Sequence, residues 1–197
     1  MADDARRKAG GTCEVRVASA ATKIGLSRPI YDRLKAIDAS KADPATRLYL
    51  KRTLAGYERA GIAFDPKGRA EVQALNDRIS QLGTDFETNI ANGRKTVSTN
   101  LAELTGLPAD FIAAHKAGSD GKVTISTDYP DLFPVMSYAQ SVSLRRQLYE
   151  ADGTRAYPAN DKVLGLLLDT RLELARKLGR KDYATLVLED KMLDTPA

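Results

Sequence analysis

The chain has 197 residues, 43% of them hydrophobic and 28% charged, which is enough for one globular domain with its own core or for two small ones. Its net charge of +4 is small and both signs alternate along the sequence, so we expect a solvated mixed surface and no nucleic-acid partner. The single cysteine, Cys13, excludes an internal disulfide, and no apolar run approaches the roughly 20 residues that would predict a membrane span.

The N-terminal residues 1–26 are predicted to form a separate, loosely packed helical segment. Its first part favours helix, but Gly10 and Gly11 are expected to interrupt the pattern. Ser27 then supplies an N-cap for the next helix. We therefore predict a main helical domain over residues 27–197.

Two Asp-Pro pairs, at Asp43 and Asp65, predict the starts of consecutive helices, because aspartate is a good N-cap and proline suits the first helical position. The second helix carries an apolar stripe at steps of three and four, formed by Val72, Leu75, Ile79, Leu82, Phe86 and Ile90. Gly83 within it predicts close packing or a bend, at a cost of about 1 kcal/mol relative to alanine. A short loop between the helices predicts an antiparallel pair.

Two β-branched runs, at residues 95–99 and 122–127, are typical of short strands. Paired, they would form a small antiparallel ribbon that needs helices on one face, since two strands alone are marginally stable. The predicted fold is therefore mainly α, an antiparallel helical bundle-like domain with a two-stranded β ribbon around residues 95–99 and 122–127.

Beyond the second strand, Pro130 and Pro134 predict a turn at residues 131–133. An arginine-rich helix follows, capped by Ser141 or Ser143. The last long helix has a broad apolar face, formed by Val163, Leu164, Leu167, Leu168, Leu172, Ala175 and Leu178.

The residue types that most often carry chemistry are scarce in this chain. His115, the single histidine, could be a metal ligand or a base, but zinc requires three or four converging ligands, so a surface or partly buried helix histidine is the simpler interpretation. Cys13 lacks a neighbouring histidine that would activate it, which favours an incidental cysteine over a nucleophile. Nucleotide binding has no support, because neither a P-loop nor a dinucleotide-binding glycine motif is present.

Two aspartates and three arginines near the proline pair have alternative interpretations. Asp128 and Asp131 could be paired carboxylates, although turn-forming aspartates explain them more simply. Three arginines could hold a phosphate or carboxylate, or form ion pairs within the chain: Arg145, Arg146 and Arg155. Glu150 and Asp152 are the nearest acidic partners for such ion pairs. We therefore assign no catalytic, cofactor-binding or metal-binding residue.

An ordered series of short motifs nevertheless identifies the chain. It comprises Asp128-Tyr129-Pro130, Pro134-Val135-Met136, Tyr138-Ala139, Leu144-Arg145, Leu148-Tyr149, Ala151, Thr154-Arg155-Ala156 and Asn160-Asp161. In order and spacing these motifs resemble the thimet oligopeptidase, oligopeptidase A and peptidyl-dipeptidase family of zinc metallopeptidases. Flanking segments such as LYLKRTLAGYERAGI and LARKLGRKDYATLVLEDKML look like the family's neighbouring segments, so the resemblance covers about residues 27–195.

The resemblance implies an enzyme whose zinc is held by an HExxH helix and a downstream glutamate, with the glutamate of the motif activating water. This chain has one histidine and no such motif. It therefore resembles only the N-terminal helical region, which in the family forms one wall of a deep channel that admits short peptides. We expect it to be inactive alone and to have no cofactor of its own, with a C-terminal catalytic domain as its missing partner.

Further expectations concern the setting of the chain. The sequence stops shortly after a helical pattern, which indicates truncation at the C-terminal end and predicts self-association through an uncovered apolar face. The resemblance implies a cytoplasmic enzyme, or a periplasmic one if a signal peptide was removed. The alternative function is a stand-alone helical module that binds a peptide or a protein partner.

Overall fold

A computed structural model describes residues 4–193, 195 and 196. The helices are α1 (Asp4–Gly25), α2 (Arg28–Lys35), α3 (Pro44–Arg59), α4 (Pro66–Asn92), α5 (Ala109–Ala114), α6 (Tyr129–Tyr138), α7 (Val142–Gly153), α8 (Ala159–Lys177) and α9 (Tyr183–Leu188). Two strands, β1 (Thr96–Thr99) and β2 (Val123–Ser126), are the remaining extended elements of the described part. Helix makes up 68% of the structure, and this confirms the predicted mainly α fold.

The chain divides into two compact units. The first unit comprises Met1–Asp85 and Val163–Ala197, and the second comprises Phe86–Lys162. The core of the first unit is a cluster of buried side chains, formed by Leu26, Val72, Leu174 and Leu178. The core of the second unit is larger and is formed by Val97, Leu104, Leu107, Val123, Ile125, Leu132, Val135, Ala139, Leu144 and Leu148.

Helix α1 runs through Gly10 and Gly11, so the predicted interruption is wrong. A glycine costs only about 0.5–1 kcal/mol relative to alanine within a helix, which does not break a helix of this length when it has packing partners. A side chain at Gly11 would place its Cβ 2.9 Å from the Thr84 methyl carbon on α4, so α1 approaches α4 closely there. Gln73 on α4 also donates to the carbonyl oxygen of Ser19 at 3.2 Å.

The helix starts at the two Asp-Pro pairs are confirmed. The Asp43 carboxylate accepts from the amide of Thr46 at 3.1 Å, and the Asp65 carboxylate accepts from the amide of Gly68 at 2.6 Å. Gly83 lies inside α4 with no other atom within 4 Å of the position that a Cβ would take. Close packing at Gly83 is therefore a wrong prediction.

The β ribbon is confirmed to within a residue at each end. The strands are antiparallel, with Thr96 opposite Ser126 and Val97 opposite Ile125. Val97 and Ile125 are buried in the core of the second unit together with residues of α6 and α7. The helices thus cover one face of the ribbon, as a two-stranded sheet requires.

The predicted turn at residues 131–133 is wrong, because these residues lie within α6. Pro130 occupies the first turn, where a backbone N–H has no partner in the helix. Pro134 removes one hydrogen bond from the helix interior. Burial of Leu132 and Val135 on the inner side of α6 offsets that loss.

Helix α7 is capped by Ser141 and not by Ser143, since the Ser141 hydroxyl accepts from the amide of Leu144 at 3.0 Å.

Helix α8 has the predicted apolar face, but only part of it is buried. Leu164 and Leu168 remain 43% and 55% exposed.

Candidate functional site

The second unit brings together Ser126 of β2, Asp131 of α6 and His115 at the end of α5. One carboxylate oxygen of Asp131 accepts from the backbone amide and the hydroxyl of Ser126, at 2.7 and 2.6 Å. The other oxygen lies 3.0 Å from Nε2 of His115. The side chains of His115 and Asp131 are 18% and 17% exposed. A single carboxylate thus ties α5, β2 and α6 together.

The ring of His115 is held at both of its nitrogens. Its Nδ1 lies 2.8 Å from the carbonyl oxygen of Phe111, and its Nε2 faces the Asp131 carboxylate. The ring also stacks on that of Phe111, with 4.0 Å between centroids.

The pKa of the Asp131 carboxyl is lowered by this arrangement. Burial acts to raise the pKa, but the hydrogen bonds from Ser126 and the neighbouring His115 outweigh that effect. Asp131 is therefore an ionised, fully engaged acceptor and is unsuited to general acid catalysis near neutral pH.

The cluster contains a serine, a histidine and an aspartate, but it is not arranged as a catalytic triad. In a triad the histidine lies between the two others and takes the serine proton. Here Asp131 lies in the middle, and the Ser126 hydroxyl donates to Asp131. The three side chains form a tertiary contact between α5, β2 and α6.

The two aspartates considered as a pair have separate partners. Asp128 lies at the N-cap position of α6, and its Oδ2 is 2.5 Å from Nε of Arg94. Asp131 binds Ser126 and His115, as described above. Asp131 lies within α6, so its interpretation as a turn-forming residue is wrong, whereas Asp128 lies in the bend just before the helix.

The ion pairs predicted for the arginines are confirmed for two of the three. Arg146 pairs with Glu150 at 2.9 Å on the exposed side of α7. Arg155 lies 3.5 Å from Asp152. Arg145 instead donates to a backbone carbonyl at the end of α6.

Among the residues that the structure describes, the side chains do not provide a ligand set for a zinc ion. Across residues 4–193, 195 and 196, no group of three or more His, Cys, Asp or Glu side chains could hold a metal. His115 and Asp131 bind each other and their neighbours, and Cys13 is exposed on α1. Within the same residues, none of the helices combines the length and the apolar character of a membrane span.

The outward side of α6 is a feature that sequence reasoning missed. Tyr129, Phe133 and Met136 are 65%, 59% and 36% exposed, and we call these three residues the α6 outer face. The rings of Tyr129 and Phe133 stack with 4.9 Å between centroids. Their spacing of four and three residues is a helical signal, but it was hidden by the expectation of a turn between the two prolines.

Comparison with known proteins supplies the class. No protein-family model matches the chain. It is 30% identical to oligopeptidase A of Escherichia coli over 77% of this chain and 25% of that protein. It is 28% identical to oligopeptidase A of Haemophilus influenzae (96% and 31%) and 29% identical to the thimet-like oligopeptidase of Dictyostelium discoideum (70% and 21%).

The curated homologues of this chain are therefore oligopeptidase A and thimet-like oligopeptidases, as the motifs from Asp128 onwards predict. It spans between 21% and 31% of the length of these curated relatives.

Proposed function

We propose that this chain is the N-terminal helical region of a zinc-dependent oligopeptidase and forms one wall of the channel that leads short peptides to the catalytic centre. The proposal rests on two shares, the part of this chain that its relatives match and the part of each relative that this chain spans. Relatives named oligopeptidases match 70% to 96% of this chain, while the chain spans less than a third of them. The rest of such an enzyme would be the missing catalytic domain.

The zinc ligands belong, in this proposal, to that catalytic domain. Two observations support this placement: the chain has one histidine, and the partners of His115 and Asp131 leave no open ligand set. We accordingly propose that this chain alone is inactive and that it contributes the shape of the channel and access to it.

The remaining parts of the proposal concern organisation and setting. We also propose that the isolated chain self-associates through apolar side chains that the catalytic domain would cover, such as Leu168 of α8, which is 55% exposed. A cytoplasmic location is compatible with the free, exposed Cys13.

The test compares this chain with the whole protein encoded by its reading frame. Both are purified, their zinc content is measured, and hydrolysis of a fluorogenic short peptide is followed before and after chelation and zinc readdition. We expect turnover that depends on zinc in the whole protein, and neither turnover nor stoichiometric zinc in this chain. Zinc-dependent turnover by this chain alone would overturn the proposal, as would a whole protein that hydrolyses no peptide.

A further inference from the structure

Helix α6 is apolar on both sides. Its inner side places Leu132 and Val135 in the core of the second unit. The exposed positions are Tyr129, Pro130, Phe133, Met136, Ser137 and Tyr138, of which only Ser137 has an aliphatic polar side chain and none is charged. A helix that is apolar all round is normally buried on all sides, so the outer face of α6 is expected to have a partner.

The size of the α6 outer face supports this expectation. An aromatic side chain presents roughly 150–250 Å², so at the exposures of Tyr129, Phe133 and Met136 the face amounts to on the order of 300 Å². An apolar patch of this size is comparable with the largest patch on a typical monomeric protein, which is often functional. It is also about one side of a small interface between domains of the same chain, which buries roughly 600–1,500 Å² in total.

The chemistry of the α6 outer face argues against a peptide as its occupant. Recognition of a short extended peptide generally uses partners for the peptide backbone or for its charged ends. The two carboxylates nearest to the face are already engaged, Asp128 by Arg94 and Asp131 by Ser126 and His115. The face therefore matches an apolar protein surface, with aromatic residues as the anchors typical of interface centres.

We infer that the α6 outer face packs against the catalytic domain of the same polypeptide, with Tyr129 and Phe133 inserted into an apolar surface of that domain. More than two-thirds of each relative lies outside the part that this chain spans, which provides a partner of sufficient size. This inference rests on the proposed function, because it requires the catalytic domain to be present in the whole protein.

The test measures thiol accessibility at position 133. Cys13 is exposed and would also react, so it is first replaced by serine, and the Cys13→Ser variant serves as the background. Phe133→Cys is then compared with a control, Tyr149→Cys, whose parent side chain is 68% exposed on α7. Each variant is labelled with a maleimide at low concentration, once in this chain and once in the whole protein.

We expect the thiol at position 133 to react at least about tenfold more slowly in the whole protein than in this chain, because it would react only during rare openings. The Tyr149→Cys control should react at similar rates in both. Equal reactivity at position 133 in the two proteins would overturn the inference. So would protection that appears only when the whole protein dimerises, or only after a slowly hydrolysed peptide is added.

The two proposals fail separately in this experiment. A whole protein that hydrolyses peptides with zinc while position 133 stays reactive refutes the interface alone. A whole protein that protects position 133 but hydrolyses no peptide refutes the oligopeptidase function alone. As a second readout, Phe133→Asp should leave the melting temperature of this chain unchanged and lower that of the whole protein.

Discussion

Replacing Asp131 by alanine is expected to lower the free energy of unfolding of the second unit by about 2–4 kcal/mol. The carboxylate accepts from the Ser126 amide at 2.7 Å and the Ser126 hydroxyl at 2.6 Å, and it faces His115 at 3.0 Å. Hydrogen bonds to a charged group contribute about 1.5–3 kcal/mol each and are not additive. Truncation also leaves the part-buried Ser126 amide and Nε2 of His115 without their acceptor.

The effect of Asp131→Ala should depend on pH in a defined direction. The folded-state pKa of Asp131 lies below its ordinary value of 3.8. Its contribution is therefore present above the unfolded-state pKa and is lost as the pH falls through the folded-state pKa. Urea unfolding followed by circular dichroism at neutral pH and in acid should show the difference between wild type and variant shrinking in acid.

Two further variants control the experiment. Ser126→Ala removes the hydroxyl but keeps the amide donor, and it should cost about 1 kcal/mol. Asp161→Ala removes an exposed carboxylate from the first turn of α8 and should change stability by no more than about 0.5 kcal/mol. A loss below about 0.5 kcal/mol for Asp131→Ala, or a loss that does not vary with pH, would refute the structural role of the cluster.

Two other pairs of substitutions can be measured by the same unfolding assay. Gly93→Ala would place a Cβ 1.7 Å from the carbonyl oxygen of Arg155, so we expect the free energy of unfolding to fall by about 1–3 kcal/mol or more. Gly83→Ala has open space and should raise the free energy of unfolding by about 0.5–1 kcal/mol. Equal effects of the two substitutions would contradict the packing around Gly93. Leu148→Ala leaves a cavity at a fully buried site and should lower the free energy of unfolding by about 2–5 kcal/mol. Leu168→Ala, at an exposed site, should lower it by less than about 1 kcal/mol. A larger effect of Leu168→Ala would contradict the burial of Leu148 in the core.

The local signals of the sequence predicted much of the fold. The aspartates at 43 and 65 begin helices because they cap nearby amides, and this depends only on neighbours along the chain. The β-branched runs favour extended backbone through a local preference as well, although the ribbon itself needs the long-range pairing of Thr96 with Ser126. Predictions from glycine and proline were wrong where tertiary packing outweighed low helix propensity. Gly11 lies in α1 where it approaches α4, and Pro134 lies within α6.

The Ser126, Asp131 and His115 cluster could not be predicted from spacing. His115 and Asp131 lie on different helices, and the loop and strand between them must fold before the two side chains meet. The sequence instead indicated a catalytic and a local interpretation for His115 and for Asp131, while the two side chains form a tertiary contact with each other. The α6 outer face was missed because its periodicity emerges only when residues 131–133 are helical.

The division into units has a consequence for the order in which the protein folds. The second unit, Phe86–Lys162, is one continuous stretch, whereas the first unit needs both Met1–Asp85 and Val163–Ala197. The chain is synthesised from its N-terminus, so Leu26 and Val72 can be buried against Leu174 and Leu178 only after those two residues have been made. By then the second unit already has its complete core. The stretch synthesised first is therefore the one that finishes folding last, and it is the part in which chaperones are expected to find unburied apolar side chains during synthesis.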